Sequence, residues 1–170
     1  MTAQRQENKD HRLNISGLAA IAGLFFGLAG QAADVQAAST ERIVVNRHTA
    51  LAIDGFDPVA YFTDADALAG RPDVEASDRG AIWRFRNEGN RAIYLAHPEI
   101  YSPRFGGYDP TDVARGKPVP GRAQIWLIRG ERLYLFNREE SRDAFAVAPD
   151  RFLDQADEKW PELMETLSSY

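Results

Sequence analysis

Residues 82–109, IWRFRNEGNRAIYLAHPEIYSPRFGGYD, constrain the fold of this chain more than any other stretch. Trp83 and Phe85 fall on one face by period-two alternation, and aromatic side chains suit a pleated, half-buried surface, so the stretch opens as a strand with an inside. Asn87 then has the chemistry of a helix N-cap, a short side chain able to accept from an early backbone N–H. The spacing predicts a helix over 88–96 that buries Ile93 with Ala92 and Ala96 beside it, and Pro98 ends it. Tyr101, Phe105 and Tyr108 follow at loop spacing, and Gly106-Gly107 permits positive φ or a close backbone approach.

Residues 1–37 have the pattern of a secretory signal: Arg5, Lys9 and Arg12 precede an apolar run from Ile15 to Gly30, and Val35-Gln36-Ala37 carries small or branched residues before a cleavage point. A cut after Ala32 is the alternative. The run is short of the roughly 20 residues of a spanning helix and contains four glycines and one serine, so a retained anchor is the lesser reading. Without an Arg-Arg pair the general export route is expected, giving a periplasmic or secreted protein with no membrane attachment after cleavage. Residues 38–50 then form an N-terminal approach segment, in which Ile43-Val44-Val45 can pair at a sheet edge, and residues 51–170 form one domain with a single core.

Removal of the first 37 residues takes away three basic and three acidic side chains and leaves the net charge at −5, with the signs interspersed. That excludes the basic face required by nucleic acid and the polybasic cluster required by an anionic membrane. There is no cysteine, so disulfides and thiolate ligands are both excluded.

Leu51-Ala52-Ile53 reads as a short strand that turns at Asp54-Gly55 and restarts as a helical turn with Asp57 as N-cap and Pro58 at its first position. The acidic stretch 64–78, with Gly70, Pro72 and Ser77, reads as a surface connection. Asp109 caps a short helix begun by Pro110 and closed by Gly116. Residues 117–122, KPVPGR, are an extended loop. Residues 124–128 and 132–136 form a hairpin through Arg129-Gly130-Glu131. Asn137 with Glu140 makes a capping box for a helix that ends at Pro149, and two more helices follow, divided by Pro161.

Phe56-Asp57-Pro58-Val59-Ala60-Tyr61-Phe62, the segment from Trp83 to Asn90, His97-Pro98-Glu99-Ile100-Tyr101 and Phe105-Gly106-Gly107-Tyr108, in that order and spacing, resemble the YHS domain in its exported bacterial branch. The resemblance covers roughly Leu51 to Trp160 and implies a small metal-associated module that is not an enzyme. Metal-associated relatives carry cysteine where this chain has Ala60, Arg86 and Asn90, and many exported relatives carry one at the position of Asp109. The resemblance therefore carries over the scaffold residues Asp57, Pro58, Gly106, Gly107 and Tyr108, and not the ligand set.

The chain also parallels itself. Residues 80–87, followed by Arg91, Tyr94, Pro98 and Tyr101, match residues 130–137, followed by Arg142, Phe145, Pro149 and Phe152, with one extra residue at the start of the second helix. The expected fold is α+β: a small antiparallel sheet with short helices packed on it, built from two strand-helix pseudo-repeats that share one sheet and one core.

The chemistry is sparse. His97 precedes Pro98 at a helix end, where a cation meets the negative end of the helix dipole, and His48 lies in the polar approach. His97 with Asp109 is the weak candidate for a metal site, lacking the spacing of a histidine pair; no resident cofactor is expected. There is no nucleophile motif and no phosphate-binding glycine loop, and Asp54 and Asp57 flank a turn as backbone acceptors. The expected function is a non-catalytic binding module for an unidentified small ligand, in a pocket lined by Phe56, Tyr61, Trp83, Tyr101, Phe105 and Tyr108 with Asp57 and Asp109 at its mouth. The alternative is an accessory protein that holds a periplasmic protein partner through exposed aromatics such as Trp126 or Trp160.

Overall fold

A computed structural model describes residues 42–167, so residues 1–37, expected to be an export signal, lie outside the described residues. In chain order the elements are α1 (Ala60–Thr63), β1 (Arg71–Asp78), β2 (Ala81–Phe85), α2 (Glu88–Ala96), α3 (Pro98–Tyr101), α4 (Pro110–Val113), β3 (Arg122–Arg129), β4 (Arg132–Phe136), α5 (Glu139–Val147) and α6 (Pro149–Thr166), with 3-10 turns at Ile53–Gly55 and Arg104–Gly107. The class is α+β, but the strands form two separate antiparallel hairpins, β1-β2 and β3-β4, where one shared sheet was expected. Among the described residues no helix is long and apolar enough to cross a membrane.

The pseudo-repeat is closer than the sequence comparison indicates, and its alignment differs by one residue. From β1, β2, α2 and the start of α3 to β3, β4, α5 and the start of α6, every element recurs 51 residues on. Both hairpins have a register shift at the same place, Arg71 to Glu75 and Arg122 to Trp126. Tyr94 packs 5.0 Å from Trp83 and 5.3 Å from Phe85, and its counterpart Phe145 packs 5.0 Å from Tyr134 and 5.3 Å from Phe136. Asn87 thus corresponds to Arg138, not to Asn137. The extra residue lies in the first half, between Asp57, whose N–H donates to the Leu68 carbonyl, and β1; the matching bond in the second half joins Asp109 to Val119.

This shift corrects the capping box. The N-cap of α5 is Arg138, whose side chain makes no cap hydrogen bond. Asn137 instead donates through Nδ2 to the Pro120 carbonyl and through its backbone to Asp109. Asn87 does cap α2, accepting from Asn90 N at 2.8 Å, and Asp109 caps α4, accepting from Thr111 N.

The core has two clusters, not one, and β4 is the wall between them. Leu133 and Leu135 pack with Val59, Tyr61, Trp83, Phe85 and Tyr94, whereas Tyr134 and Phe136 pack with Phe105, Tyr108, Val113 and Phe145. Alternation along a strand sends successive side chains to opposite faces, so a strand buried on both faces reads as the uninterrupted run Leu-Tyr-Leu-Phe. β2 is buried on one face only, with Trp83 and Phe85 inside as the alternation predicts.

Three other expectations change. Residues 71–78, read as connection, are strand β1, whose polar sequence buries only Val74 deeply; cross-strand pairing with β2 imposes the conformation, and Pro72 falls in the register shift where the ladder is broken. α2 turns Asn90 and Tyr94 inward and leaves Ile93 39% exposed, because Tyr94 fills the space over Trp83. α6 runs through Pro161 as a single helix, giving up one i→i−4 hydrogen bond while Trp160, Leu163 and Leu167 stay packed on the second cluster.

Val44 joins the halves: its N–H donates to the Gly106 carbonyl and its carbonyl accepts from Ile53 N. The approach is so close that a Cβ on Gly106, which has φ +62°, would lie 1.9 Å from the Arg42 carbonyl oxygen. The glycine pair therefore serves chain crossing.

Candidate functional site

The eight residues expected to line one pocket are separated between the two clusters. Tyr61 and Trp83 are core residues of the first, with Phe56 and Tyr101 packed against it; Phe105 and Tyr108 belong to the second. Their polar atoms are used internally. Tyr61 Oη donates to the Ala123 carbonyl at 2.9 Å, and Trp83 Nε1 donates to the Asp78 carbonyl at 3.2 Å. Burial, with the charge of Asp57 nearby, pushes the Tyr61 hydroxyl well above its ordinary pKa.

Asp57 and Asp109 stand at no mouth; both are fully buried. Asp57 Oδ1 accepts from Val59 N at 2.8 Å, and its Oδ2 accepts from Arg86 N and Asn90 Nδ2, each at 2.7 Å. Asp109 Oδ1 accepts from Thr111 N and Thr111 Oγ1, and its Oδ2 accepts from Asn137 N at 2.9 Å. In each half one carboxylate ties the start of a short helix to the residue just after the second strand of the hairpin, β2 or β4, and so locks a loop of the repeat. Arg86 and Asn90, where the family resemblance puts thiols, are donors to Asp57.

The donor set does not fit a metal. Asp109 has both oxygens occupied, and His97 is exposed at the end of α2, where its Nδ1 lies 3.5 Å from Glu99. Among the described residues no group of three or more His, Cys, Asp or Glu side chains could hold an ion. Neither weak candidate is placed as a ligand.

The larger concavity lies elsewhere. It encloses about 720 Å³ and is bounded by the segment at Arg42, the turn between β1 and β2, the link from α3 to the Arg104–Gly107 turn, the first residue of β4 and the later part of α6. Of the eight expected residues Phe105 alone lines it. It is distinguished by four arginines, Arg42, Arg79, Arg104 and Arg132, which line it together with Trp160 and Met164.

Each arginine is placed by a local feature. Arg79 opens the two-residue hairpin turn at φ 50°, a left-handed conformation that lets β1 and β2 pair closely. It is held by Asp78 at 2.9 Å and by Ser102 Oγ and Tyr94 Oη, while Tyr94 Oη also lies 3.0 Å from Asp78 Oδ2. Burial opposes the charge of Arg79, yet the hydrogen bond to Asp78 and that to Tyr94 raise its pKa overall. Burial likewise raises the pKa of the Tyr94 hydroxyl, against the hydrogen bonds from Ser102 and Arg79. Arg104 pairs with Asp157 of α6 and lies 5.2 Å over the Phe105 ring. Arg132 donates to the Glu99 carbonyl, and Arg42 has no side-chain partner among the described residues. Trp160 stands edge-on to Phe105 at 5.6 Å.

A smaller hollow of about 290 Å³ touches Thr111, Arg115, Arg138 and Ser141, but both of its arginines are paired with Asp112. Trp126 and Trp160 are half-buried, Trp126 packing edge-on against Tyr61 at 5.3 Å, and every aromatic among the described residues is buried or half-buried. Neither tryptophan is the exposed anchor expected for a protein partner.

The arginine cavity escapes sequence reasoning because its members come from five separated segments and none sits in a motif. The one usable signal is Arg79-Gly80 between two strand-like runs, a turn that fixes where one guanidinium must lie. Comparison of the chain with protein-family models, with curated proteins and with solved structures finds no match.

Proposed function

We propose that this chain is an exported, non-catalytic binding module of YHS-like ancestry that takes a small molecule in the cavity between α6, the β1-β2 turn and Arg42. The observation that carries the proposal is the cavity itself, about 720 Å³ with an aromatic wall and convergent polar groups, a size and composition usual for small-ligand sites. The non-catalytic reading is supported by its polar groups: guanidiniums stay protonated in proteins and do not shuttle protons, and Glu99, the carboxylate among the lining residues, is exposed and engaged with His97. Soft-metal association has no support from the donors present around Asp57 and Asp109.

Native mass spectrometry of the protein purified from the periplasm tests this reading. The expected result is a chain that starts near Ala38 and carries a small-molecule adduct at one per chain. A bare chain that instead copurifies stoichiometrically with a second protein overturns it in favour of the accessory reading, and a full-length, membrane-retained chain overturns the export step.

A further inference from the structure

We infer that the ligand of this cavity is a small organic carboxylate with a flat apolar body; the inference rests on the binding reading above and names the chemical class. Four arginines line the space, and Glu99 is the single acidic residue among its lining. Two of them are satisfied by acids just outside it, Arg79 by Asp78 and Arg104 by Asp157. The other two are not: among the described residues Arg132 meets only a backbone carbonyl and Arg42 has no side-chain partner. This excess of positive charge occurs in a chain whose net charge is −5, so it is a local property of the cavity and not of the surface at large.

A guanidinium presents a planar fork of donors that matches a carboxylate in two parallel hydrogen bonds, and the match is strongest away from bulk water. Trp160, Met164 and Phe105 line the same space and supply apolar, partly aromatic surface to cover a ring or short chain. Arg79 and Arg104 are held in place by their acids and by Tyr94 and Ser102, which leaves Arg42 and Arg132 as the groups able to close on an anion.

The test uses three probes of one shape and three charges: 2-naphthoate, 2-naphthamide and 2-naphthylmethylammonium, titrated calorimetrically into the processed protein. The carboxylate should bind about tenfold or more tightly than the amide, and the ammonium more weakly than either. Added salt should weaken the carboxylate and leave the amide unchanged. Arg42→Gln, a change to a side chain with no partner to lose among the described residues, should bring the carboxylate down to the affinity of the amide, with Arg132→Gln as the second variant and Lys117→Gln as a remote control that changes nothing. Equal binding of carboxylate and amide, or preference for the ammonium, overturns the ligand class while leaving the cavity as a binding site. Failure of all three probes to bind at millimolar concentration overturns the ligand class and the binding reading together.

Discussion

Removing either buried aspartate should cost this protein a large part of its stability and leave the arginine cavity chemically untouched. Asp57→Ala strands three donors, Val59 N, Arg86 N and Asn90 Nδ2, at 2.7 to 2.8 Å from oxygens that no longer exist. A buried donor left without an acceptor costs about 1–3 kcal/mol, so the expected loss is about 3–9 kcal/mol, against the about 5–15 kcal/mol that holds a typical domain together. Asp109→Ala strands two backbone donors, Thr111 N and Asn137 N, while the Thr111 hydroxyl can rotate to another acceptor; about 2–6 kcal/mol is expected. Asp57→Asn is the sharper variant, because one oxygen becomes an NH₂ that must face donors: either Val59 N, or Arg86 N and Asn90 Nδ2 together, loses its acceptor. Urea melts followed by circular dichroism measure these losses, with the exposed Asp73→Ala as a control expected to melt like the parent. A variant at either buried position that melts within about 1 kcal/mol of the parent would refute the reasoning. One that folds normally but no longer binds a ligand would return that aspartate to the functional site.

Three further outcomes are expected. Trp83→Ala, at a position with no exposure, should cost about 3–5 kcal/mol, whereas Arg84→Ala, on the outer face and paired with Glu75, should cost under about 1 kcal/mol; equal effects in denaturant melts would mean that the faces of β2 are misassigned. Tyr61 and Tyr94 hold their phenolic protons in the folded state above the pH, about 10, at which the unfolded chain releases them, so stability should fall as pH rises beyond about 10 and Tyr61→Phe should flatten that fall; a melting midpoint unchanged up to pH 11 would contradict it. Titration of the protein with Cu(I) without oxygen, and with Zn(II), should give no stoichiometric site at micromolar concentration, and a one-to-one site lost in His97→Ala would make that exposed helix-end imidazole a ligand.

What the sequence discloses is governed by how local the cause is. The inner face of β2, the Asn87 cap, the Asp109 cap and the second hairpin are each decided within a few residues, by side-chain alternation, a short acceptor or a glycine, and all four are present. β1 is decided by its partner, and its own polar sequence gives no sign of it. The α2 face is misassigned because Ile93 has the hydrophobicity of a core residue while Tyr94 has the position and the size that the space over Trp83 requires. The pocket expectation fails on a more general point: aromatics near glycines and acids are what a two-cluster core of this size needs for itself, and here Tyr61, Trp83 and Tyr108 have no exposed surface left to offer. The arginines that do face a cavity are hydrophilic, scattered and individually ordinary, so only their convergence in space marks them.

The single-residue difference in length between the two halves has a practical consequence for spectroscopy. It falls in connections whose outer residues are exposed, around Asp64 in the first half and Lys117 in the second. A segment that differs in length between two otherwise superposable units is one whose length the packing does not dictate, so a foreign side chain there should be accommodated. The chain has no thiol of its own. Cysteines placed at Asp64 and Lys117 would then be the only sites for maleimide dyes, giving a two-label ruler that tracks the separation of the halves as ligands are titrated.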